Sequence, residues 1–399
     1  MAPASTPPGA PLDNDVAYPI RPDLWLLDPG FVHLNHGSYG AVPVPVLDAR
    51  RRASEAVERS PERFYRADLT RGIEAARHLV ADFLGTEPAG LALVRNATEA
   101  AQVVLDAVNP QPGDEIVYTD HVYPWVEAAI QRTCTDRGCV PQRVVVPNHL
   151  ESPGGDFTDE LVARLRQATG VHTALLVIDQ ITSGSALSLP VEAICAALGD
   201  MVPVAVDGAH APGLIGEPVP SGAAFWFGNL HKWAFSARTA AALVVAPEWR
   251  GKVRPMVTSF GGSAGFPGSF TYLGTQDASA YLALPEALSF PERHLGMTFR
   301  QLRNRNARVL EAGLRLLADE LGLAPGVETD LPMRTLPLGV RGGADAAWNL
   351  MGRLRHGGVE VAVSSTDGEL HMRLSVQAYV GLRDFAALSG ALRDEGIGK

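Results

Sequence analysis

Leu91-Ala92-Leu93-Val94 is a short apolar run. It leads into Arg95-Asn96-Ala97-Thr98-Glu99 and then into the apolar-periodic stretch Ala100–Val108. Four consecutive apolar residues ending at a polar turn predict a strand buried on both faces. Asn96 followed three residues later by Glu99 is a capping-box pattern, and it predicts a helix over Thr98–Val108. The unit is therefore strand, turn, capped helix.

The same unit recurs outward from this stretch. Apolar runs at Glu115–Tyr118, Arg143–Val146, Ala174–Ile178, Pro203–Val206, Ala223–Phe227 and Ala241–Val245 predict further strands. Helical patterns at Trp125–Arg137 and Val191–Leu198 fall between them. Such alternation predicts an α/β fold with a mostly parallel sheet covered by helices, and ligands beyond the carboxyl ends of its strands. The pattern changes after about residue 280. A long helix is predicted over Arg300–Leu321, then a smaller α+β unit with strands near Thr335–Val340 and Leu370–Val376 and helices near Ala344–His356 and Leu382–Leu392. The predicted division is a flexible tail at 1–20, a segment at 21–65 that completes the small domain and the site entrance, a large domain at 66–285 and a small domain at 286–399. Gly261–Gly268 lacks a strand–loop–helix context and predicts a mobile loop rather than a dinucleotide cradle.

Composition excludes several classes. The 399 residues carry 34 basic and 44 acidic side chains, a net charge of −10, with no basic stripe of the kind a nucleic-acid binder shows. No apolar run approaches the roughly 20 residues that span a bilayer, and residues 1–20 contain no continuous apolar signal segment, so no membrane association and a cytoplasmic location are expected. Cys134, Cys139 and Cys195 are odd in number and lack metal-ligand spacing, so neither a disulfide framework nor a metal site is expected. The Asn96-Ala97-Thr98 sequon is read as chance. Only three lysines occur, Lys232, Lys252 and Lys399. Lys232 lies within Phe225-Trp226-Phe227-Gly228-Asn229-Leu230-His231-Lys232-Trp233, apolar surroundings that a lysine occupies only for a reason.

Four features fall near predicted strand ends. Asn96 and Glu99 can simply cap their helix, or its free N–H groups can seat a phosphate. Asp207, directly after Val204-Ala205-Val206, can cap the next turn or face a ligand. His231-Lys232 can be an incidental pair at a strand exit. Tyr123, in Asp120-His121-Val122-Tyr123-Pro124-Trp125, can close the core or stack on a flat ligand. Taken together, a lysine, a carboxylate and a phosphate seat suggest pyridoxal 5'-phosphate.

The chain resembles the class V, fold-type I pyridoxal-phosphate enzymes, in particular the isopenicillin N epimerase-like branch that borders the cysteine desulfurases. The resemblance spans roughly Val32 to Tyr379. It rests on Leu34-Asn35-His36-Gly37-Ser38-Tyr39-Gly40, Arg95–Glu99, Ile181-Thr182-Ser183, Asp207-Gly208-Ala209-His210-Ala211-Pro212-Gly213, Gly228–Trp233, Gly274-Thr275-Gln276-Asp277 and Arg373-Leu374-Ser375-Val376-Gln377-Ala378-Tyr379. It implies a large domain with a seven-stranded sheet and a homodimer with shared sites. It also implies residue roles. Lys232 would form the Schiff base and move the α-proton; Asp207 would pair with the pyridine nitrogen, His210 would approach the phenolic oxygen, and Tyr123 would stack on the ring. Ala97, Thr98, Asn229 and His231 would hold the phosphate, with Thr275 reaching that of the neighbouring subunit. Arg373 would clamp the carboxylate of an amino-acid substrate, Ser183 would lie near it, and Gln180 would lie near the ring. Asn35 and His36 are expected on the substrate side.

The chain departs from that pattern. Ala234-Phe235-Ser236-Ala237-Arg238 stands where relatives often carry a Pro-Lys-Gly turn, Val380 where Asn is frequent, and Gln180 where His is common. These changes bear on substrate and reaction. No cysteine follows Cys195, which argues against a persulfide-forming desulfurase route. Epimerisation needs a second acid that the sequence does not identify. β-Elimination from a cysteine S-conjugate needs one general base and is the leading expectation, that of a carbon–sulfur lyase of specialised metabolism. Epimerisation of an isopenicillin N-type substrate, decarboxylation-coupled deamination and transamination are the alternatives. A catalytically silent member of the fold is a further alternative, against which Lys232, Asp207, His231 and Arg373 all stand.

Overall fold

The computed structural model describes residues 21–148 and 155–398 and divides into two compact units. The tail expected at 1–20 and Lys399 lie outside the described residues.

The larger unit comprises Asn35–Arg303 with Val327–Thr329. Its centre is a seven-stranded sheet built from β1 (Leu91–Val94), β2 (Glu115–Thr119), β3 (Val140–Val144), β4 (Thr173–Asp179), β5 (Val204–Asp207), β6 (Phe225–Asn229) and β7 (Ala241–Val245). The order across the sheet is β1-β7-β6-β5-β4-β2-β3. All neighbours run parallel except β7, which is antiparallel to both β1 and β6.

Strand alternation sends successive side chains to opposite faces and so into two separate cores. One holds Leu91, Leu93, Val117, Leu176, Ile178, Val204, Val206 and Trp226, covered by α2 (Leu69–Leu84), α5 (Gly155–Ala168) and α6 (Val191–Leu198). The other holds Ala92, Val94, Ile116, Leu175, Val177, Ala205, Phe225 and Phe227, covered by α3 (Ala97–Val108) and α4 (Pro124–Arg137). Burial on both faces explains why the inner strands are continuously apolar rather than alternating. The helix α1 (Val44–Arg59) adds Val46 to a small cluster with Ala280, Ala283 and Ala287.

One strand differs from expectation. The apolar run Val144-Val145-Val146 marked Arg143–Val146, but the ladder runs from Val140 to Val144. Beyond it, the Val146 N–H is taken by the Asp120 carboxylate at 2.9 Å, and Val145 is exposed. An edge strand pairs on one side only, so a solvated Val140 can belong to it while an apolar neighbour does not. Gly261–Gly268, expected as a mobile loop, falls among short 3-10 turns at Phe260–Ala264 and Gly268–Phe270.

Of the described residues, the smaller unit comprises those up to Leu34, Asn304–Gly326 and those from Asp330 onward. It contains a three-stranded antiparallel sheet of β8 (Met333–Arg341), β9 (Ala362–Thr366) and β10 (Glu369–Ser375), with β10 in the middle. Strand β9 was not anticipated. Val32–His33 pairs in parallel with Val359–Glu360. Two helices, α8 (Ala344–His356) and α9 (Leu382–Asp394), belong to this unit, as does the later part of α7 (Phe299–Leu321). A Cβ at Gly313 would lie 2.3 Å from the Phe385 ring, so glycine is what lets α9 pack on α7.

The division thus falls within α7 at Arg303–Asn304 rather than near 285. The end of strand–helix alternation does not end the packed unit, because Ala280, Ala283 and Ala287 still pack against α1. At the other end only the residues to Leu34, not 65, group with the smaller unit. Among the described residues, no helix is long and apolar enough to cross a membrane, and no cluster of three metal-ligating side chains occurs.

Candidate active site

The side chains at the carboxyl ends of β4, β5 and β6 follow from the alternation. Ile178 and Val206 face one core, so Asp179 and Asp207 face the other side. Asn229, two residues after Phe227, lies on that side as well. All three line a cavity of about 260 Å³ in the larger unit, together with Thr98, Tyr123 and Lys232.

Lys232 stands three residues beyond β6 and is 8% exposed. Its Nζ is 3.0 Å from His210 Nε2, and the Trp233 indole Nε1–H donates to His210 Nδ1 at 3.3 Å. The loop is held from behind. His36 Nε2 lies 3.0 Å from the Lys232 carbonyl oxygen, and its ring lies 5.0 Å from that of Trp233. Gly40 approaches so closely that a Cβ there would sit 2.1 Å from the His231 carbonyl oxygen, and its φ is +69°. Phe235 takes φ 60°, a strained value for a bulky residue, with its ring against those of Phe290 and Phe299.

The two carboxyl groups differ in their partners. Asp207 Oδ1 accepts the Ala209 N–H at 2.8 Å, while its Oδ2 is buried with no partner. Burial pushes Asp207 up to about 6, opposed by that N–H and by Lys232. Asp179 Oδ2 is also buried and unpartnered. Burial, and next the neighbouring Asp207, push Asp179 well above the usual carboxylate range, opposed by a bond from the Tyr123 N–H and by Lys232. Burial thus disfavours the charged form of both carboxyls, and the neighbouring Asp207 adds to that effect at Asp179.

The start of α3 satisfies the capping reading and leaves an anion seat. Asn96 Oδ1 accepts the Glu99 N–H at 2.8 Å, and the Glu99 carboxylate turns back to the Arg95 N–H, also at 2.8 Å. Ala97, expected to bind phosphate, lines the cavity and donates its N–H to Asn229 Oδ1 at 3.0 Å. That leaves the Thr98 N–H and the Asn229 amide NH2 for an anion. His231 Nδ1 lies 3.2 Å from the Ala240 carbonyl oxygen, and burial holds the ring's pKa at about 4, so it is neutral.

Other expected residues fall elsewhere. Gln180 is not in the cavity. Its amide donates to the Pro218 carbonyl at 2.8 Å and accepts the Trp226 indole N–H at 3.0 Å, because one residue along the strand reverses the face. His36 is a buried support of the lysine loop, not a cavity residue, and Asn35 Oδ1 accepts the Ser38 hydroxyl at 2.7 Å. Ser38 and Tyr39 line the cavity in their place, and Ser183 lines it as expected. Thr275 is exposed and lines no part of it. Arg373 is buried in the smaller unit on β10, opposite Thr335 and Ala362.

Asp179 and Arg238 are among the cavity residues that the sequence reading missed. Asp179 follows Leu175-Leu176-Val177-Ile178 as Asp207 follows Val204-Ala205-Val206, a signal that was present in the sequence. Arg238, whose guanidinium donates to the Gly40 carbonyl oxygen, carries no comparable signal. Among the described residues, no cysteine lines the cavity. Cys134, Cys139 and Cys195 are buried free thiols, and burial above all pushes Cys134 and Cys195 up to about 12.

Comparison with known proteins adds to this geometry. Residues 41–214 match the family described as aminotransferase class-V. A relative from Oryza sativa subsp. japonica, provisionally named L-cysteine desulfhydrase 2, is 31% identical, with 84% of this chain and 74% of the relative covered. Isopenicillin N epimerase of Streptomyces clavuligerus is 26% identical over 92% of this chain and 95% of the relative. Among solved structures, the cystine C–S lyase C-DES in complex with cysteine persulfide superposes with a TM-score of 0.76 at 18% identity, covering 92% of this chain and 98% of that one.

Proposed function

Since the chain belongs to the class-V aminotransferase family and is a pyridoxal-phosphate-dependent enzyme, we propose that it catalyses β-elimination on a cysteine S-conjugate, cleaving the bond between Cβ and sulfur. The residues fit the cofactor. The unpartnered buried Asp207 Oδ2 lacks the donor that a protonated pyridine nitrogen provides. When bound, pyridoxal phosphate supplies an aldehyde for imine formation with an amino group and a ring that accepts electrons from the substrate α-carbon.

The chain's own groups then have separate tasks. Asp207 keeps a proton on the ring nitrogen, and Tyr123 covers the ring. The Thr98 N–H, the Asn229 amide and His231 hold the phosphate. Thr275 of a second subunit would add to that seat in a homodimer. Ser183 is a candidate partner for the substrate carboxylate on the cavity wall, and Arg373 is the candidate clamp for a carboxylate by its two-pronged guanidinium. Lys232 takes the α-proton, after which the thiolate leaves Cβ. Water then completes the reaction to thiol, pyruvate and ammonia.

The observation that carries this reading is that, among the described residues, Lys232 supplies the only amine in the cavity and no cysteine lines it. One base suffices for elimination, whereas a persulfide route requires a thiolate. Similarity to the desulfhydrase relative supports carbon–sulfur cleavage. Epimerisation is the second reading. Asp179, which lines the cavity and whose carboxyl burial pushes well above the usual range, is a candidate acid that the sequence did not identify, and the epimerase likeness points the same way.

The test is incubation with S-alkyl-L-cysteines and L-cysteine in deuterated water. Stoichiometric pyruvate and thiol support elimination. Recovered amino acid with inverted configuration and deuterium at Cα, without pyruvate, would overturn it in favour of epimerisation.

A further inference from the structure

Trp233 follows Lys232 in the chain, yet its indole turns back to the histidine that the lysine contacts. The Trp233 Nε1–H points at His210 Nδ1 at 3.3 Å, and His210 Nε2 faces Lys232 Nζ at 3.0 Å. Trp233 and His210 are 2% and 1% exposed. The His36 ring, 5.0 Å away, packs against the indole.

We propose that Trp233 is a positioning residue that locks His210 in its Nε2–H form, so that His210 donates to the Lys232 amine and holds it as the free base. An indole N–H can only donate, so Nδ1 must be the accepting nitrogen. A neutral imidazole has one ring proton, which then sits on Nε2. A group receiving that proton needs a lone pair. An amine has one, and an ammonium ion does not. The Lys232 nitrogen that the bond selects is therefore the nucleophilic form required to attack an aldehyde.

The other groups facing Lys232 do not select that form. Asp207 and Asp179 attract an ammonium ion, Asp179 the less because burial pushes its carboxyl well above the usual range. His231 is neutral. Arg238, on the same loop, disfavours a second cation at the cavity, and its guanidinium donates to the Gly40 carbonyl oxygen. Directional selection rests on the indole acting through His210.

This inference relies on Lys232 being the imine-forming lysine and is independent of elimination as the outcome. Two measurements on the cofactor-free full chain test it. Nitrogen-15 histidine labelling with two-bond proton correlation reads the tautomer of His210 directly in the unsubstituted protein. A protonated Nε2 and a bare Nδ1 are expected, and the reverse overturns the proposal whether or not any variant folds. Nitrogen-15 lysine labelling gives at most three Nζ signals, from Lys232, Lys252 and Lys399. In Trp233→Phe the Lys232 titration midpoint should rise by about one pH unit, a tenfold loss of free amine. The pH at which pyridoxal phosphate uptake reaches half its maximal rate should rise in parallel. Replacing the indole N–H by sulfur, with benzothienylalanine at position 233, should repeat the shift while preserving shape. An unchanged midpoint in either variant overturns the proposal, because a purely structural role would slow uptake equally at every pH. Cofactor trapped by borohydride on Lys252 would instead defeat the assignment of the imine lysine and leave the tautomer result standing.

Discussion

Asp179 and Asp207 are register partners on adjacent parallel strands, and each directs an unpartnered buried oxygen into the same cavity. Because Asp207 is raised to about 6 in the folded protein, the native state holds more protons than the unfolded chain between about pH 4 and pH 6. The cofactor-free protein should therefore lose stability as pH rises through that window, by on the order of 3 kcal/mol for this group. Asp207→Asn should lessen that slope in urea unfolding at pH 5 and 7.5, with Asp179 supplying what remains, while weakening cofactor binding. An equally steep slope in the variant would show that Asp207 is not its source.

Asp179 separates two roles. Asp179→Asn keeps an acceptor for the Tyr123 N–H and should retain the cofactor. Asp179→Ala loses that anchor and should bind pyridoxal phosphate about tenfold more weakly, the equivalent of one hydrogen bond. Fluorescence titration of the two variants checks this, and equal affinities would mean that Tyr123 needs no such tether.

Arg373→Ala should raise KM for the amino acid by about 100-fold, the worth of a charge-assisted pair, with cofactor affinity unchanged. Steady-state kinetics beside a cofactor titration distinguish this clamp from a fold defect, which would lower both.

Lys232→Ala should cut turnover by about 1,000-fold or more. Borohydride reduction and peptide mapping of the unsubstituted enzyme should place the cofactor on the peptide carrying Lys232.

Gly40→Ala should destabilise the protein by roughly 2–4 kcal/mol, since the new Cβ meets the His231 carbonyl oxygen at a positive φ. Thermal unfolding reads this, and a Tm within a degree of the parent's would contradict the close approach.

Much of the fold was legible because buried parallel strands are written as short apolar runs. Leu91–Val94 and Ala241–Val245 fall where the composition put them. Local sequence was weakest where pairing decides. Val145 and Val146 look like strand, but an edge strand has a single ladder and stops at Val144. The site shows the same limit. Asp207 and Lys232 stand out by position around apolar runs, and Asp179 has the same signature as Asp207, whereas Asn229 and Gln180 were expected only from the family resemblance. On a strand, one residue is the difference between the cavity and the opposite core. His36 shows a different limit, since nothing local reveals that a histidine near the start of the chain will brace a carbonyl 196 positions away.

The reversed strand β7 has a mechanical consequence. Because β6 and β7 pair from Phe225↔Val245 to Asn229↔Ala241, and Leu230 N–H is bonded to the Ala240 carbonyl, the segment bearing Lys232 is stitched shut at its base. The amine cannot swing out on a breathing loop. Its release requires unzipping two interior strands, so the backbone amides at its root should exchange with solvent only when the whole unit melts.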